Sequence, residues 1–232
     1  MGVYGEAVVT LITVQNTRGV TRVDVLAPDL VLEQIHAVCS DIPPHAAKTG
    51  ALGNRAVVEA VAAAAQSFKF PLVIDPVMIS KHGAALMDEE GQGAVAQLLL
   101  PQAFLLTPNL EEATVLAGFP VTNLATMRKA AEKLVSLGAK NVLIKGGHLD
   151  ADDDAVDVLF EPEHGFHEFS ARRIATQHTH GTGCTYSAAI TAELAKGSTL
   201  RDAVGKAKEF ITEAIRTAPG LGSVTGPLNH HA

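Results

Sequence analysis

The residues best suited to chemistry form one short run, His180-Gly181-Thr182-Gly183-Cys184-Thr185, directly before a helical pattern. Two glycines at a helix start leave the first N–H groups open, and these groups together with the helix dipole can bind an anion. Cys184 falls in the first turn, where a thiol pKa is lowered, so it can accept a proton or act as a nucleophile. The alternative is a flexible loop followed by a small, buried cysteine, and spacing alone does not separate the two.

Polar side chains also follow the ends of four predicted strands. They are Gln15, Asp75, Thr107 with Asn109 and Glu112 after it, and Lys145. In open α/β sheets, ligands bind beyond the carboxyl ends of the strands. One such residue is readily explained by simple solvation, whereas four strands ending in polar groups favour a common site.

Asp75 and Glu112 are candidate partners of Mg²⁺, because magnesium takes one or two carboxylates and completes its coordination with phosphates and waters. In the alternative, Asp75 caps a turn before Pro76 and Glu112 is a solvated helix residue. The glycines before Cys184 lack the Gly-Lys-Ser/Thr ending of a Walker A loop, and KGGH lacks the third glycine of a dinucleotide fingerprint.

Three other groups suggest no site. Cys39 is predicted to pack in the core, on an apolar helix face. The acidic run at 150–154 lacks the glycine and terminal glutamate of a calcium-binding loop and is predicted to be an exposed turn. His164 and His167 flank a predicted hairpin and are not expected to bind a metal.

Strands and helices alternate along the chain, which predicts a mostly parallel sheet covered on both faces. The β-branched run at 7–14 predicts a buried first strand. Further strands are predicted at 21–26, 45–49, 72–75, 104–107, 142–144, 155–160 and 166–169. Helices are predicted at 28–40, 55–68, 89–100, 110–117, 125–137, 183–196 and 200–217.

Composition limits the classes of protein to consider. With 232 residues, 47% hydrophobic and 19% charged, the chain can bury a large core, and we expect one domain over residues 1–232. A net charge of −7 argues against a nucleic-acid partner. Two cysteines and the absence of a signal-peptide pattern favour the cytoplasm, and the sequence lacks a membrane-length apolar run.

Eight motifs occur in one order from Gly2 to His230: GVYG, QNTRGV, KTG, DPVMISKHG, TPNLEEA, IKGGH, HTHGTGCTYSAAI and GPLNH. Together they resemble the hydroxymethylpyrimidine kinase/phosphomethylpyrimidine kinase family of thiamin biosynthesis, within the ribokinase-like superfamily. The resemblance implies a ribokinase-like three-layer α/β/α sandwich. It also implies that ATP phosphorylates hydroxymethylpyrimidine and its monophosphate with Mg²⁺, and a homodimer is expected.

The same resemblance assigns roles to residues. Gly181, Thr182 and Gly183 would form the anion hole for the migrating phosphoryl group, and Cys184 would occupy the catalytic-base position. Gln15, Thr13 and Val77 would line the pyrimidine pocket. Lys145, Thr107 and Asn109 would face the nucleotide phosphates. Asp75 and Glu112 would act through Mg²⁺ and its waters.

The chain also departs from the family pattern. Family members carry a GSDxSGGAGIQAD segment before GVYG, and without it we expect weak Mg–ATP binding, little kinase activity and self-association through an open sheet edge. Ala51 replaces a methionine over the pyrimidine, His178 an asparagine and Thr225 a histidine. Two alternatives stay open: a vitamin B6 alcohol such as pyridoxal as acceptor, or a non-catalytic relative that binds pyrimidine or nucleotide.

Overall fold

A computed structural model describes residues 1–80, 83–147 and 154–232. Most of the acidic run at 150–154 lies outside the described residues, as do Lys81, His82 and His148 of the quoted motifs. No helix among the described residues is both long and apolar enough to cross a membrane.

Six strands form the central sheet. In sheet order they are β3 (Ala47–Thr49), β4 (Leu72–Ile74), β5 (Leu105–Leu106), β6 (Val142–Ile144), β7 (Asp154–Glu161) and β8 (Gly165–Arg172). The first four run parallel, and β7 and β8 are antiparallel to their neighbours. Strands β4 to β6 are fully buried and almost purely aliphatic, as expected for parallel strands covered on both faces.

The helices begin and end close to the predicted positions. They are α1 (Pro28–Asp41), α2 (Arg55–Ala65), α3 (Glu89–Ala94), α4 (Leu110–Ala117), α5 (Leu124–Ser136), α6 (Thr182–Ala195) and α7 (Leu200–Arg216). The predicted helix at 89–100 is α-helical only to Ala94, continues as a π-helical turn over Val95–Leu99 and ends in a 3-10 turn at Leu100–Gln102. Pro101 lies in that last turn, where its missing N–H ends the regular pattern.

Two apolar layers cover the sheet. Residues of α2 to α5 pack with Leu72, Ile74 and Val142 on one face. Residues of α6 and α7 pack with Val73 and Leu143 on the other. Because successive strand residues point to opposite faces, both faces need cover, and the predicted three-layer α/β/α architecture with a mostly parallel sheet is confirmed.

The first strand does not follow the prediction. It runs from Leu11 to Asn16 (β1) and, within the described part of the chain, pairs only with β2 (Gly19–Val25) in an antiparallel hairpin outside the central sheet. Ile12 and Val14 are 55% and 54% exposed. The prediction of a buried strand over 7–14 is wrong, because the strand begins only at Leu11 and the hairpin face that carries Ile12 and Val14 is exposed.

Cys39 also differs from its prediction. It is half-buried and lines an apolar groove of about 540 Å³ between α1 and the end of α2, together with Ile35 and Phe68. The helix face that carries Cys39 therefore lies beside the core instead of inside it.

Candidate functional site

An ion pair between two strand ends forms the centre of the site. Asp75 follows β4 and is 1% exposed, and Lys145 follows β6. The Lys145 Nζ lies 2.8 Å from Asp75 Oδ1. Ser187 Oγ of α6 donates to Asp75 Oδ2 at 2.9 Å, and Thr107 Oγ1 lies 3.4 Å from Oδ1. The carboxyl ends of β4, β5 and β6 therefore converge as predicted, with α6 closing one side.

Both members of this pair remain charged. Burial by itself would raise the pKa of Asp75, but the ammonium groups of Lys145 and Lys48 and the hydrogen bonds from Lys145 and Ser187 outweigh burial and lower that pKa. Burial opposes the charge of Lys145 as well, yet the carboxylates of Asp75 and Glu112 hold its pKa above the usual value. A buried pair of this kind is stable only because each charge has its partner.

Glu112 lies in the first turn of α4, where its position is set by a capping box. Asn109 Oδ1 accepts from the Glu112 N–H at 2.8 Å, and Glu112 Oε2 accepts from the Asn109 N–H at 2.8 Å. Burial, together with the nearby Asp75 carboxylate, raises the pKa of Glu112 to about 7, against the pull of Lys145. The alternative of a solvated helix residue is therefore wrong for Glu112.

Asp75 and Glu112 are a donor set that suits Mg²⁺. The two hard carboxylates share the Lys145 ammonium group, and burial, followed by the Asp75 charge, raises the pKa of Glu112. Among residues 1–80, 83–147 and 154–232, no group of three or more His, Cys, Asp and Glu side chains is placed to hold a metal. Magnesium needs no more than one or two protein carboxylates when phosphates supply the rest.

The start of α6 is open toward this ion pair. Gly181 is the N-cap residue, with a φ of 81° that favours glycine, and no side chain caps the helix. A Cβ on Gly183 would lie 3.2 Å from Lys145 Nζ, so the missing side chain lets the ammonium approach the helix end. First-turn N–H groups, the helix dipole and an ammonium group thus face one place, which suits an anion.

Cys184 reaches the site, but its pKa moves in the direction opposite to the prediction. The residue is exposed, yet the protein atoms around its thiol partly desolvate it. This desolvation and the Asp75 carboxylate raise the pKa of Cys184, and Lys48 and Lys145 offset only part of the rise. The thiol is therefore protonated at neutral pH, and the expectation of a lowered pKa is wrong.

The hairpin brings a second set of residues to the site. Gln15 Nε2 lies 3.0 Å from His180 Nε2, directly before the glycines of α6, and Thr13 Oγ1 lies 3.3 Å from Gln15 Oε1. Gln15 therefore reaches the site from the hairpin, and the prediction that it ends a strand of the central sheet is wrong. Val77 lies two residues beyond Asp75, and its N–H donates to the Asp75 carbonyl at 2.9 Å.

Three residues of the site had no assigned role at the sequence level. Ser187 follows Cys184 by three residues on α6, a spacing that places both on one helix face. Lys48 belongs to the KTG motif, and His180 belongs to the glycine-rich run. Their motifs were visible in the sequence, whereas the contacts of Ser187 with Asp75 and of His180 with Gln15 depend on the fold.

A second buried ion pair lies behind Lys145. Lys208 Nζ of α7 is 2.7 Å from Asp157 Oδ2 of β7, and both side chains are buried. The Gly146 N–H donates to Asp157 Oδ1 at 2.9 Å, and the Lys145 N–H donates to the Pro108 carbonyl at 2.9 Å. The backbone on both sides of the Lys145 Cα is therefore held by the core.

Known proteins resemble this chain in sequence and in structure. The sequence model of the family described as Phosphomethylpyrimidine kinase matches residues 1–229. The thiamine biosynthesis bifunctional protein ThiED of Geobacter sulfurreducens is 46% identical over 231 residues, which are 99% of this chain but only 47% of that longer protein. The hydroxymethylpyrimidine/phosphomethylpyrimidine kinase of Bacillus subtilis is 42% identical over 233 residues, 100% of this chain and 86% of that protein.

A solved structure shows the same fold. It is the pyridoxal kinase of Bacillus subtilis, determined as an ADP complex, with a TM-score of 0.89 and 36% identity over 99% of this chain and 87% of that one. The ribokinase-like architecture and the kinase class predicted from the motifs are thereby confirmed. The family match and the two relatives with more than 40% identity each cover nearly the whole chain. The chain therefore belongs to the phosphomethylpyrimidine kinase family.

Proposed function

We propose that this chain transfers the γ-phosphoryl group of ATP to the hydroxyl of hydroxymethylpyrimidine, and then a second one to the resulting monophosphate. The acceptor oxygen attacks the γ-phosphorus, the bond to the β,γ-bridging oxygen breaks, and ADP leaves. One observation supports this most strongly: the Lys145–Asp75 pair lies against the glycine-flanked, uncapped start of α6. Phosphoryl transfer depends mainly on positioning and on charge stabilisation, which this arrangement supplies.

The sheet side of the site suits the nucleotide. Lys145 and the open N–H groups of Gly183 and Cys184 would hold the migrating phosphoryl group, with Gly181 and Thr182 shaping the turn. Thr107 and Asn109 end β5 and begin α4, on the same side as Lys145. Asn109 Oδ1 is used in the capping box, so Asn109 would act by placing the helix start.

Asp75 and Glu112 would hold Mg²⁺ together with phosphate oxygens and waters. The ion would supply positive charge where the transferred group is most negative. Burial and the Asp75 carboxylate raise the pKa of Glu112, and a bound cation would lower it.

Cys184 would contact the attacking oxygen of the acceptor. In a loose transition state little proton transfer is needed before the new bond forms, so a protonated thiol can stay hydrogen-bonded to the hydroxyl as it reacts. The proton leaves late, to solvent or to product phosphate. Gln15 can both donate to and accept from the edge of an aminopyrimidine, and with Thr13 and Val77 it would hold the ring.

The test is an assay of ADP release with ATP and each acceptor in turn. In place of the little activity expected without the GSDxSGGAGIQAD segment, we expect turnover with hydroxymethylpyrimidine and with its monophosphate, because the groups suited to phosphate lie together. Each turnover should depend on added Mg²⁺. The proposal would be contradicted if a folded chain released no more ADP with each of the two acceptors than with ATP alone.

Pyridoxal is the second candidate acceptor, favoured by the similarity to the Bacillus subtilis pyridoxal kinase in sequence and fold. The same assay with pyridoxal ranks the two acceptors by kcat/KM, and a higher value for pyridoxal would reverse the proposal. The homodimer, the cytoplasmic location and the single-domain organisation over residues 1–232 stay predictions. Light scattering of the purified chain tests the first of these.

A further inference from the structure

The site holds a second ammonium group besides that of Lys145. The charge of Lys145 is neutralised by Asp75 at 2.8 Å. Lys48 is half-buried, and within the described part of the chain its ammonium forms neither an ion pair nor a hydrogen bond. An ammonium without a salt-bridge partner at the edge of an anion site attracts a further negative group.

The register of the sheet directs Lys48 toward the site. Lys48 is paired with Val73 across β3 and β4, and Val73 faces the layer formed by α6 and α7. Gly50 follows Lys48 by two residues, so both lie on the same face of the extended chain. A Cβ on Gly50 would be 3.6 Å from Lys48 Nζ. The ammonium thus extends past Gly50 toward the strand ends, where Asp75 lies on the neighbouring strand. Its field reaches both Asp75 and Cys184.

Lys48 lies on the opposite side of Asp75 from Lys145. The sheet order is β3, β4, β5, β6, so Lys145 shares its side with Thr107 and Asn109, and Lys48 does not. Thr10 Oγ1, just before the hairpin, donates to the Ala51 carbonyl at 2.7 Å. Lys48 therefore belongs to the side where the hairpin and Gln15 approach.

We propose that Lys48 binds the phosphate of the monophosphate acceptor during the second transfer; this inference rests on the proposed function. The first acceptor is a neutral alcohol and needs no extra cation. The second acceptor brings a phosphate close to the γ-phosphate of ATP, and the two repel each other. Its phosphate oxygen attacks the γ-phosphorus, ADP leaves, a diphosphate forms, and any acceptor proton passes to solvent.

The test compares the two steps in Lys48→Met, Lys48→Gln and Lys48→Arg. An interaction with a charged group contributes about 1.5–3 kcal/mol, and about 1.4 kcal/mol corresponds to tenfold. At saturating ATP we expect Lys48→Met and Lys48→Gln to lose roughly 10- to 100-fold in kcat/KM for the monophosphate, and less than about threefold for the alcohol. Lys48→Arg retains the charge and should recover most of the second step. Lys69→Met removes one exposed lysine before β4 and should leave both steps unchanged.

Calorimetric titration of the monophosphate without ATP gives a second readout, in which Lys48→Met should bind about 10-fold or more weakly. Equal losses for the two acceptors would show that Lys48 acts on the transferred phosphoryl group, and would overturn the inference. Unchanged monophosphate kinetics and binding in Lys48→Gln would overturn it as well. A wild-type chain inactive with both acceptors would instead refute the proposed function, since that defect precedes any substitution.

Discussion

The two sides of the site are built differently. The sheet side, meaning Asp75, Thr107 and Lys145 with the start of α6, stands on buried strand ends, and Asp75 and Thr107 are almost fully enclosed. The hairpin side, meaning Thr13 and Gln15, stands on a two-stranded element with exposed residues and no place in the central sheet.

The hairpin side is attached by hydrogen bonds at its ends. Gln34 of α1 exchanges two bonds of 3.0 Å with the Val9 backbone just before the hairpin. At the tip, Thr17 Oγ1 accepts from the Ser223 N–H at 3.2 Å, and Arg18 Nε donates to Ser223 Oγ at 3.0 Å. The comparison teaches that the core fixes the groups suited to phosphate, whereas acceptor contacts depend on a hairpin outside the central sheet that hydrogen bonds tie to α1 and to Ser223.

The largest effect is expected from Cys184→Ala, on the sheet side. Loss of the thiol that stays hydrogen-bonded to the attacking oxygen should cost ~10²–10³-fold in kcat, the usual cost of removing one hydrogen-bonding group that acts in the transition state. ATP affinity should be almost unchanged because the backbone of α6 remains. The matched control is Cys39→Ala, in the groove outside the site, which should keep wild-type kcat. Turnover by Cys184→Ala within a few-fold of wild type would remove the thiol from the reaction.

Lys208→Met removes the buried Lys208–Asp157 ion pair that supports the sheet side next to Lys145. The substitution leaves the Asp157 carboxylate buried without its partner, so we expect the free energy of unfolding to fall by about 3–5 kcal/mol. The control is Lys206→Met, two residues earlier on α7. It removes an exposed ammonium from the buried Glu193 carboxylate, which keeps Lys196 as its partner, and should cost less than about 1 kcal/mol. Urea unfolding measures both, and equal losses would contradict a special role of the buried pair.

Glu112 links the sheet side to pH. Its pKa rises from an unfolded value near 4.5 to about 7 in the fold, so between these values the native state binds more protons than the unfolded state. The stabilising contribution of protonated Glu112 is therefore complete below pH 4.5 and is lost as pH rises through 7. The loss amounts to about 3 kcal/mol at ~1.36 kcal/mol per pKa unit.

Glu112→Gln keeps the capping geometry but cannot ionise. Metal-free unfolding of wild type and Glu112→Gln in EDTA, from pH 4.5 to 8, isolates this contribution from those of other groups. As pH rises, wild type should lose unfolding free energy relative to Glu112→Gln, because only wild type must ionise a buried carboxylate. A difference that stays constant with pH would show that Glu112 ionises normally.

The smallest effect is expected on the hairpin side. Gln15→Ala removes hydrogen bonds to the acceptor and should raise its KM about 10-fold, at ~1.4 kcal/mol per tenfold, while the KM for ATP stays the same. Gln66→Ala, on an exposed residue after α2, is the control. A rise in the KM for ATP instead would place the two ligands on the wrong sides of the site.

Local patterns in the sequence were sufficient for most of the fold and for the sheet side. The aliphatic runs and helical spacings placed β4, β6, α4, α5 and α6 almost to the residue, because propensity and burial agree there. Parallel strands bring their carboxyl ends to one edge, so Asp75, Thr107 and Lys145 could be grouped before any contact was known. The eight ordered motifs, which include the glycine-rich run, indicated the family on the same local basis.

Tertiary structure decided the remaining features of the fold and the site, because these depend on which residues far apart in sequence come into contact. The apolar run around Val14 has the propensity of a buried strand. It nevertheless lies in an exposed hairpin, because its place outside the central sheet is set by the tertiary structure. A place in the first turn of a helix predicts a lowered pKa for Cys184, but the pKa is raised. Desolvation and the Asp75 carboxylate, which is far away in sequence, outweigh the effect of the helix start. Asp157 and Lys208 meet across 51 residues of chain, and neither residue reveals the other until the fold joins them.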